Sequence, residues 1–232
     1  MALGAQSLAH TTRRGGAAVI ACALAAVVAL GSVAAGSVAD VQVDAYRQAA
    51  SLEAVGTVTG HAREERRRPG DIERPLVGTV VTLVPHSSAL LARLEEIRTH
   101  ARDSASAYRA SGRALRLARE AYEKALWEAG AADFVRASVV DAAGGFRMED
   151  LPAGAWLLIA TRSVFTDRAS PRIAKRERET YAPALRLRGF NVVSVWVRAL
   201  TVSAGRTEEV ELMDRNVWFT GIEEERALDA GP

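Results

Sequence analysis

The chain has 232 residues, and 49% of them are hydrophobic, which is enough for a globular core and excludes wholesale disorder. Its 30 basic residues exceed its 28 acidic residues by two. The first 39 residues contain Arg13 and Arg14 but no acidic residue, so 28 basic and 28 acidic residues remain in the rest of the chain. The weakly basic charge therefore gives no support for a nucleic-acid partner or for binding to an acidic membrane surface.

Residues 1–39 are predicted to be a signal peptide. After the arginine pair, an apolar run extends from Ala17 to Leu30, and small residues lead to Ser37-Val38-Ala39. The last three residues have the small-x-small pattern of a signal-peptidase site, which makes Asp40 the first mature residue, and cleavage after Ala35 fits nearly as well. Arginine greatly outnumbers lysine, as in proteins of GC-rich bacteria. We expect a bacterial protein that is exported to the periplasm or secreted.

Two alternatives keep the leader attached to a membrane. The apolar zone from Ala17 to Ala35 approaches the roughly 20 residues that a bilayer span requires, so an uncleaved anchor is the first alternative. The second is lipidation, because Val19-Ile20-Ala21-Cys22 resembles a lipobox, although the run continues apolar after Cys22. Since Cys22 is the only cysteine of the chain, the mature protein is expected to have neither a disulfide nor thiol chemistry.

The chain after the leader begins with a linker and two strands. Residues 40–53 are predicted to be the linker, and the β-branched run Val55–Gly60 is predicted to be the first strand. A charged loop over residues 61–74 contains three consecutive arginines among several acids, which is typical of a solvated loop. Pro75–Val84 is the second predicted strand, with its proline at the start, where no ladder hydrogen bond is needed.

A helical pattern follows from Ser88 to Ala129. Apolar residues recur there every seven positions, at Leu94, Ala101, Tyr108, Leu115, Tyr122 and Ala129. This spacing is typical of a coiled-coil seam, but one straight helix of about 42 residues would be roughly 63 Å long. Both ends of the segment must return to one sheet, so we predict an inserted antiparallel helical hairpin over residues 87–131. Its turn is predicted near Ser111-Gly112, where glycine permits a reversal.

Short strands return after the hairpin. They are predicted at Val135–Val140, Phe146–Met148, Ala155–Thr161, Val192–Val202, Glu208–Leu212 and Val217–Phe219. The arginine-rich segment 166–189 is predicted to be a long surface loop, and residues 223–232 a polar tail. About seven strands separated by glycine turns predict a mainly β protein, built as an antiparallel β-sandwich with the helical hairpin inserted.

The order of these elements resembles the carboxypeptidase regulatory-like domain, a transthyretin-like (prealbumin-like) or Ig-like sandwich close to Cna-B modules and to the starch-binding-like fold. The residues that carry the resemblance are Gly56, Gly78, Gly145, Phe146, Leu151, Gly154, Trp156 and Gly205. It covers Val55–Val84 and Val135–Leu212. The resemblance implies a sandwich over residues 54–222 and an accessory role, since such modules are usually non-enzymatic parts of larger systems.

The sequence pattern around this signature also predicts part of the core. Phe146 and Met148 point to one face at period two, as do Trp156 and Leu158, and together with Leu151 they are expected to form one core patch. The glycines of the two adjoining turns, at positions 145 and 154, are expected to need positive φ angles.

No motif in the sequence predicts catalysis, a metal or a cofactor. His61-Ala62-Arg63-Glu64 formally matches the zinc pair of metallocarboxypeptidases, but a third ligand and a catalytic domain are missing. The sequence also lacks a nucleophile elbow, a phosphate-binding loop and a dinucleotide fingerprint. We therefore expect a protein that is not an enzyme.

Three functions are compatible with this sequence. The first is contact with another protein, or self-association, through the arginine-rich loop or through the hairpin, where Tyr108, Arg109 and Arg113 are the candidate contacts. The second is carbohydrate or cell-envelope glycan binding through Trp196 or Trp218, if these side chains are exposed on the sandwich. The third is a purely structural spacer without a ligand.

Overall fold

The structure, a computed structural model, describes residues 40–66, 68, 70, 72–167 and 185–228. These residues form three helices and nine strands, so the prediction of a mainly β protein is confirmed. The predicted signal peptide lies outside the described residues, and so does most of the predicted arginine-rich loop.

The strands are β1 (Val55–Glu64), β2 (Arg74–Pro75), β3 (Val80–Pro85), β4 (Arg136–Val139), β5 (Gly145–Pro152), β6 (Gly154–Asp167), β7 (Leu185–Val202), β8 (Thr207–Met213) and β9 (Phe219–Leu228). The α-helices are α1 (Val43–Ser51), α2 (Ser88–His100) and α3 (Ala105–Glu128). Single 3-10 turns occur at Ala132–Phe134 and Asp214–Asn216.

The strands form two sheets. In sheet 1, β1 pairs antiparallel with β5 and with the short β2, and it pairs in parallel with β8. Sheet 2 has the strand order β4-β3-β6-β7-β9, and all of its neighbouring strands are antiparallel. The sandwich is therefore antiparallel except for the pairing of β1 with β8.

Two buried tryptophans connect sheet 2 to sheet 1. The indole Nε1 of Trp156 on β6 donates a hydrogen bond of 2.9 Å to the carbonyl of Pro152 on β5. Trp196 on β7 donates one of 2.8 Å to the carbonyl of Met213 at the end of β8. Both rings are at least 99% buried, and a buried indole N–H needs such an acceptor. Trp196 is thus a core residue, contrary to its predicted exposure.

The hairpin of α2 and α3 covers the opposite face of sheet 2. Val193 and Val195 of β7 line a cavity there together with Leu94 of α2 and Leu115 of α3. The buried hydroxyl of Tyr122 on α3 donates 2.9 Å to the carbonyl of Pro85 at the end of β3. Sheet 2 is consequently the middle layer of three, which explains why its central strands read as continuous apolar runs instead of alternating ones.

The turn between the two helices lies at residues 101–104, earlier than the predicted turn at Ser111-Gly112. Ser104 caps α3, and its hydroxyl accepts a hydrogen bond of 3.0 Å from the Ala107 N–H. Ser111 and Gly112 are buried inside α3. A Cβ on Gly112 would come within 3.0 Å of the Ile222 carbonyl of β9, so this glycine serves the close approach of helix and strand rather than a turn.

The predicted linker at 40–53 is largely the helix α1. Its one buried residue is Tyr46, which packs against Trp156 and Phe134 with ring centroids 5.3 and 5.7 Å apart and donates its hydroxyl hydrogen to the Ala155 carbonyl. Gly154 permits this contact, since a Cβ there would lie 3.0 Å from the Tyr46 ring. Val43, Tyr46 and Ala50 have helical spacing, but a pattern of three residues in a nine-residue segment is too short to distinguish a helix from a linker.

Asp40 precedes α1 and binds the N-terminus of α2. Its carboxylate accepts hydrogen bonds of 2.9 Å from the hydroxyls of Ser87 and Ser88 and from the Ala89 N–H. Partial burial raises the pKa of Asp40, but these hydrogen bonds together lower it more, and the net pKa lies below the ordinary value. A negative charge is favourable at this end of a helix.

Three turns and strand boundaries differ from the predictions. The predicted second strand is divided into β2 and β3 by a turn at Gly78, which has φ +77°. In the turn before β5 the positive φ of +85° belongs to Gly144 and not to Gly145. The predicted loop at 166–189 is shorter, because β6 continues to Asp167 and β7 begins at Leu185.

Strand β9 replaces the start of the predicted polar tail (223–232). It is an edge strand, paired only with β7 among the described residues, so its charged side chains remain solvated along one edge. Glu223 is bound by Arg116 of α3 at 2.7 Å. A strand of this kind has little apolar content, which is why its sequence resembles a tail.

The predicted core patch is confirmed. Phe146, Met148, Leu151, Trp156 and Leu158 are all buried and belong to one hydrophobic cluster. They occupy β5 and β6, the two strands that face each other across the sandwich.

Replacement of Trp156 by phenylalanine is expected to destabilise the protein by about 2 kcal/mol or more, because it leaves a void and an unpaired Pro152 carbonyl. Urea unfolding measures the change. Trp127→Phe is the matched control, since Trp127 is 69% exposed, and it should stay within about 0.5 kcal/mol of the wild type. Equal losses in the two variants would contradict the assignment of Trp156 to the core.

Replacement of Asp40 by alanine should cost about 1 kcal/mol at neutral pH, because it removes an acceptor at the start of α2. A carboxyl whose pKa is lowered in the folded state stabilises that state above its unfolded pKa of about 3.9. The difference between wild type and Asp40→Ala should therefore vanish as the pH falls through the folded pKa. Thermal melts from pH 7 to pH 2.5 test this. Asp44→Ala, which removes an exposed acid outside this cap, is the matched control and should stay within about 0.5 kcal/mol of the wild type at neutral pH.

Candidate functional site

The predicted glycan-binding tryptophans do not form an exposed platform. Trp196 is buried between the sheets. Trp218 is half-buried, its Nε1 lies 3.3 Å from Oε1 of Glu95, and the guanidinium of Arg98 lies 4.7 Å from its ring centroid. One face of Trp218 is thus covered by a cation–π contact with α2. Trp196 therefore has no exposed face for stacking on a sugar ring, and Trp218 has one of its two faces occupied.

The other predicted contacts lie on the N-terminal half of α3. Tyr108 is 37% exposed and packs edge-on against Phe219 at 6.5 Å. Arg109 lies 3.8 Å from a carboxylate oxygen of Glu224 on β9. Arg113 is exposed and lines the same shallow groove between α3 and β9 as Arg109. Arg109 and Arg113 thus share one groove, whereas Tyr108 packs on Phe219 and does not line it.

The outer face of α3, which points away from sheet 2, exposes two large apolar side chains. Leu117 lies at the midpoint of the helix and is 47% exposed, and Trp127 near its end is 69% exposed. The sequence analysis did not single out either residue. The exposure of Leu117 could have been predicted, because the seven-residue spacing places it with Ala110 and Lys124 on the side of the helix opposite the buried seam.

Charge is distributed unevenly along α3. The half before Leu117 carries Arg109, Arg113 and Arg116 and no acid, whereas the half after it carries Glu120, Glu123 and Glu128 together with Arg119 and Lys124. Arg116 already binds Glu120 at 3.2 Å and Glu223 at 2.7 Å. These bonds raise the pKa of Arg116 and leave the first half of the helix with two arginines that lack a close acid on α3.

A half-enclosed cavity of about 220 Å³ lies beneath α3, between the helix and sheet 2. Its walls are mainly aliphatic. The lining residues are Leu94, Gly112, Leu115, Arg116, Arg119, Ile159, Thr161, Ser163, Val193, Val195 and Glu223. We call this space the hairpin cavity. No sequence pattern predicts this cavity, because its residues come from five separate elements, α2, α3, β6, β7 and β9.

One polar atom of the hairpin cavity is incompletely satisfied. Nε of Arg119 is buried and lies 3.1 Å from Oε1 of Glu123, but the contact lacks hydrogen-bond geometry and Nε has no other partner among the described residues. Burial raises the pKa of Glu123, and Arg119 opposes that shift. The hydroxyls of Thr161 and Ser163 likewise make no hydrogen bond within the described part of the chain.

The described residues do not assemble a metal site or a membrane span. His61 is exposed on β1, and Glu64 lies 4.0 Å from Arg162. No three histidine, cysteine or acidic side chains of the described residues are close enough together to hold a metal ion. Within these same ranges no helix has the length and apolar content needed to cross a bilayer.

Comparison with known proteins gives only distant structural matches. A candidate carbohydrate-binding protein of Pseudomonas aeruginosa matches with a TM-score of 0.38 and 14% identity, over 69% of this chain and 88% of that protein. The minor pilin GBS52 of Streptococcus agalactiae matches with a TM-score of 0.27 and 12% identity, over 77% of this chain and 48% of the pilin.

The pilus backbone protein RrgB of Streptococcus pneumoniae matches with a TM-score of 0.24 and 14% identity, over 67% of this chain and 40% of that protein. The chain thus spans less than half the length of each of these two pilins. No family model and no curated protein matches the sequence. TM-scores this low assign neither a family nor a function.

Proposed function

We propose that this chain is an exported, non-enzymatic interaction module, and that the outer face of α3 binds a second copy of the same chain. The leader sequence supports export. The observation that carries the proposed contact is the composition of the outer face, where an exposed leucine stands at the midpoint of α3 between an arginine-rich half and a glutamate-rich half. When two such helices pack antiparallel, the arginine-rich half of one faces the glutamate-rich half of the other.

Helix geometry makes this self-complementarity specific. If two α3 helices pack antiparallel about a two-fold axis at Leu117, residues at equal distances before and after Leu117 face each other. Arg113 stands four residues before Leu117 and Glu120 three residues after it. At 1.5 Å per residue, Arg113 of one copy and Glu120 of the other are within about 2 Å along the axis. The symmetry creates this ion pair twice.

Trp127 finds a partner by the same rule. It stands ten residues after Leu117, and Arg109 stands eight residues before it. At 3.6 residues per turn both lie about 80° from Leu117, on the same side of the helix. Arg109 of the second copy is therefore placed over the exposed indole of Trp127, an arrangement that gives a cation–π contact. This contact gives a role to the exposed Trp127 and to Arg109, one of the contacts predicted from the sequence.

Small residues allow the helices to approach closely. Ala110 and Ala121 lie within about 40° of Leu117 on either side of the helix midpoint. The apolar area is nevertheless small, and the ion pairs are exposed. Interfaces of this kind are weak and transient, so we expect a reversible, concentration-dependent dimer and not an obligate one.

Sedimentation velocity over a concentration series tests this proposal. The protein should dimerise reversibly, and Leu117→Glu should remain monomeric at every concentration. Arg113→Glu and Glu120→Arg should each weaken the dimer, by about fivefold or more, and the double exchange should restore it, because the pair is re-formed with reversed sign.

The matched control is Leu52→Glu, which places the same charge at a still more exposed leucine outside α3 and should leave dimerisation unchanged. Circular dichroism establishes that each variant is folded. A protein that stays monomeric at all concentrations, or a dimer that tolerates Leu117→Glu, would overturn the proposed contact.

A further inference from the structure

We propose that the hairpin cavity is a binding site for a small carboxylic acid with an apolar chain. The site lies on the inner side of α3 and goes beyond the proposed dimer contact, which uses the outer side. The two proposals share no residue whose substitution is used to test them, so either can fail alone.

The cavity has the size and walls for an apolar chain. Leu94 and Leu115 from the helices face Ile159, Val193 and Val195 from sheet 2. Its volume of about 220 Å³ exceeds the roughly 150 Å³ of an aliphatic cavity that accepts benzene. On that scale the space holds about nine non-hydrogen atoms, which corresponds to a straight-chain acid of about seven carbons.

The polar groups of the cavity favour a ligand that accepts hydrogen bonds. Thr161 and Ser163 are two residues apart on β6, so their side chains share one face of the strand. Thr161 is half-buried and Ser163 is exposed, so their hydroxyls are solvent-accessible donors of the cavity. Nε of Arg119 is buried without a hydrogen bond. A carboxylate accepts bonds from hydroxyl and guanidinium donors at once, and bonds to charged donors are the stronger ones.

The acidic residues around the cavity do not oppose an anion. Glu223 at the mouth is bound by Arg116 at 2.7 Å, so its charge is neutralised. Glu123 contacts Arg119 at 3.1 Å but does not satisfy Nε, and burial raises its pKa. A ligand carboxylate thus competes only with a poorly oriented acid for the Arg119 guanidinium. A cationic ligand would find no unpaired acid among the lining residues.

An apolar wall with few polar groups is the usual composition of a small-molecule site. The carboxylate is assigned to the guanidinium of Arg119, with the hydroxyls of Thr161 and Ser163 as further donors of the cavity. The chain is assigned to the space between the two leucines and the two valines. This division fixes the class of ligand as an uncharged aliphatic body with one acidic head, and it excludes a polar sugar, which would leave its hydroxyls unpaired against the aliphatic walls.

Isothermal titration calorimetry on the full chain, with straight-chain carboxylates from butanoate to dodecanoate as probes, tests the site. The affinity should rise about fourfold per methylene, reach a maximum near seven carbons and then fall, because longer chains exceed the cavity. Primary alcohols of the same length should bind at least tenfold more weakly. Absence of saturable binding by every acid of the series would overturn the proposal.

Two variants locate the two parts of the ligand. Arg119→Met retains an apolar stem but removes the donors, so it should weaken the acids at least tenfold and leave the alcohols unchanged. Val195→Leu adds one carbon to the wall and should move the optimum to an acid about one carbon shorter. Arg93→Met, at an exposed arginine of α2 outside the cavity, is the matched control and should bind like the wild type.

Binding that is insensitive to Arg119→Met, or an optimum that does not move in Val195→Leu, would show that the acid binds elsewhere and would overturn the assignment. Leu117→Glu should bind the acids as the wild type does. A dimer without acid binding, or acid binding without a dimer, therefore separates the failure of one proposal from the failure of the other.

Discussion

The burial of sheet 2 on both faces is the constraint on which the rest of the structure depends. Its inner face is joined to sheet 1 by the indoles of Trp156 and Trp196, each hydrogen-bonded to a carbonyl of the other sheet. Its outer face would expose a continuous apolar surface without the hairpin. The hairpin is therefore an integral layer of the domain, not an appendage, and α3 has its outer face left to contact another molecule.

Two contacts set the separation between α3 and sheet 2, and the separation differs between them. At one end Gly112 and Gly221 face each other, since a Cβ on either would collide with the opposite element, so helix and strand approach closely. At the other end the larger Tyr122 reaches Pro85 with its hydroxyl. The hairpin cavity lies between these contacts. The cavity is left open because α3 lies close to β9 at the glycines, whereas the bulky Tyr122 keeps the helix further from the sheet.

Local sequence rules predicted what depends on neighbouring residues and missed what depends on distant ones. The alternation of Phe146, Met148 and Trp156 defines a core patch with no knowledge of the third layer, so that prediction is correct. A glycine at position 112 fits a turn and a close approach of a strand equally well. Only the tertiary contact with β9 distinguishes the two. Trp196 faces away from its valine neighbours, which indicates exposure in a two-layer sandwich but burial in a three-layer one.

The candidate sites on α3 could not be predicted from the sequence, because each depends on which side of the helix a residue occupies. The buried residues of α3 recur every seven positions and dominate its sequence pattern. Leu117 lies on the opposite side, among alanines and charged residues that are ordinary on the surface of any helix. Arg119 stands two residues further on, but 200° around the helix, and faces the cavity. Neighbours in sequence thus belong to opposite surfaces. One helix can contact a second copy and enclose a ligand because its two sides are separated by its own backbone and by a row of small residues.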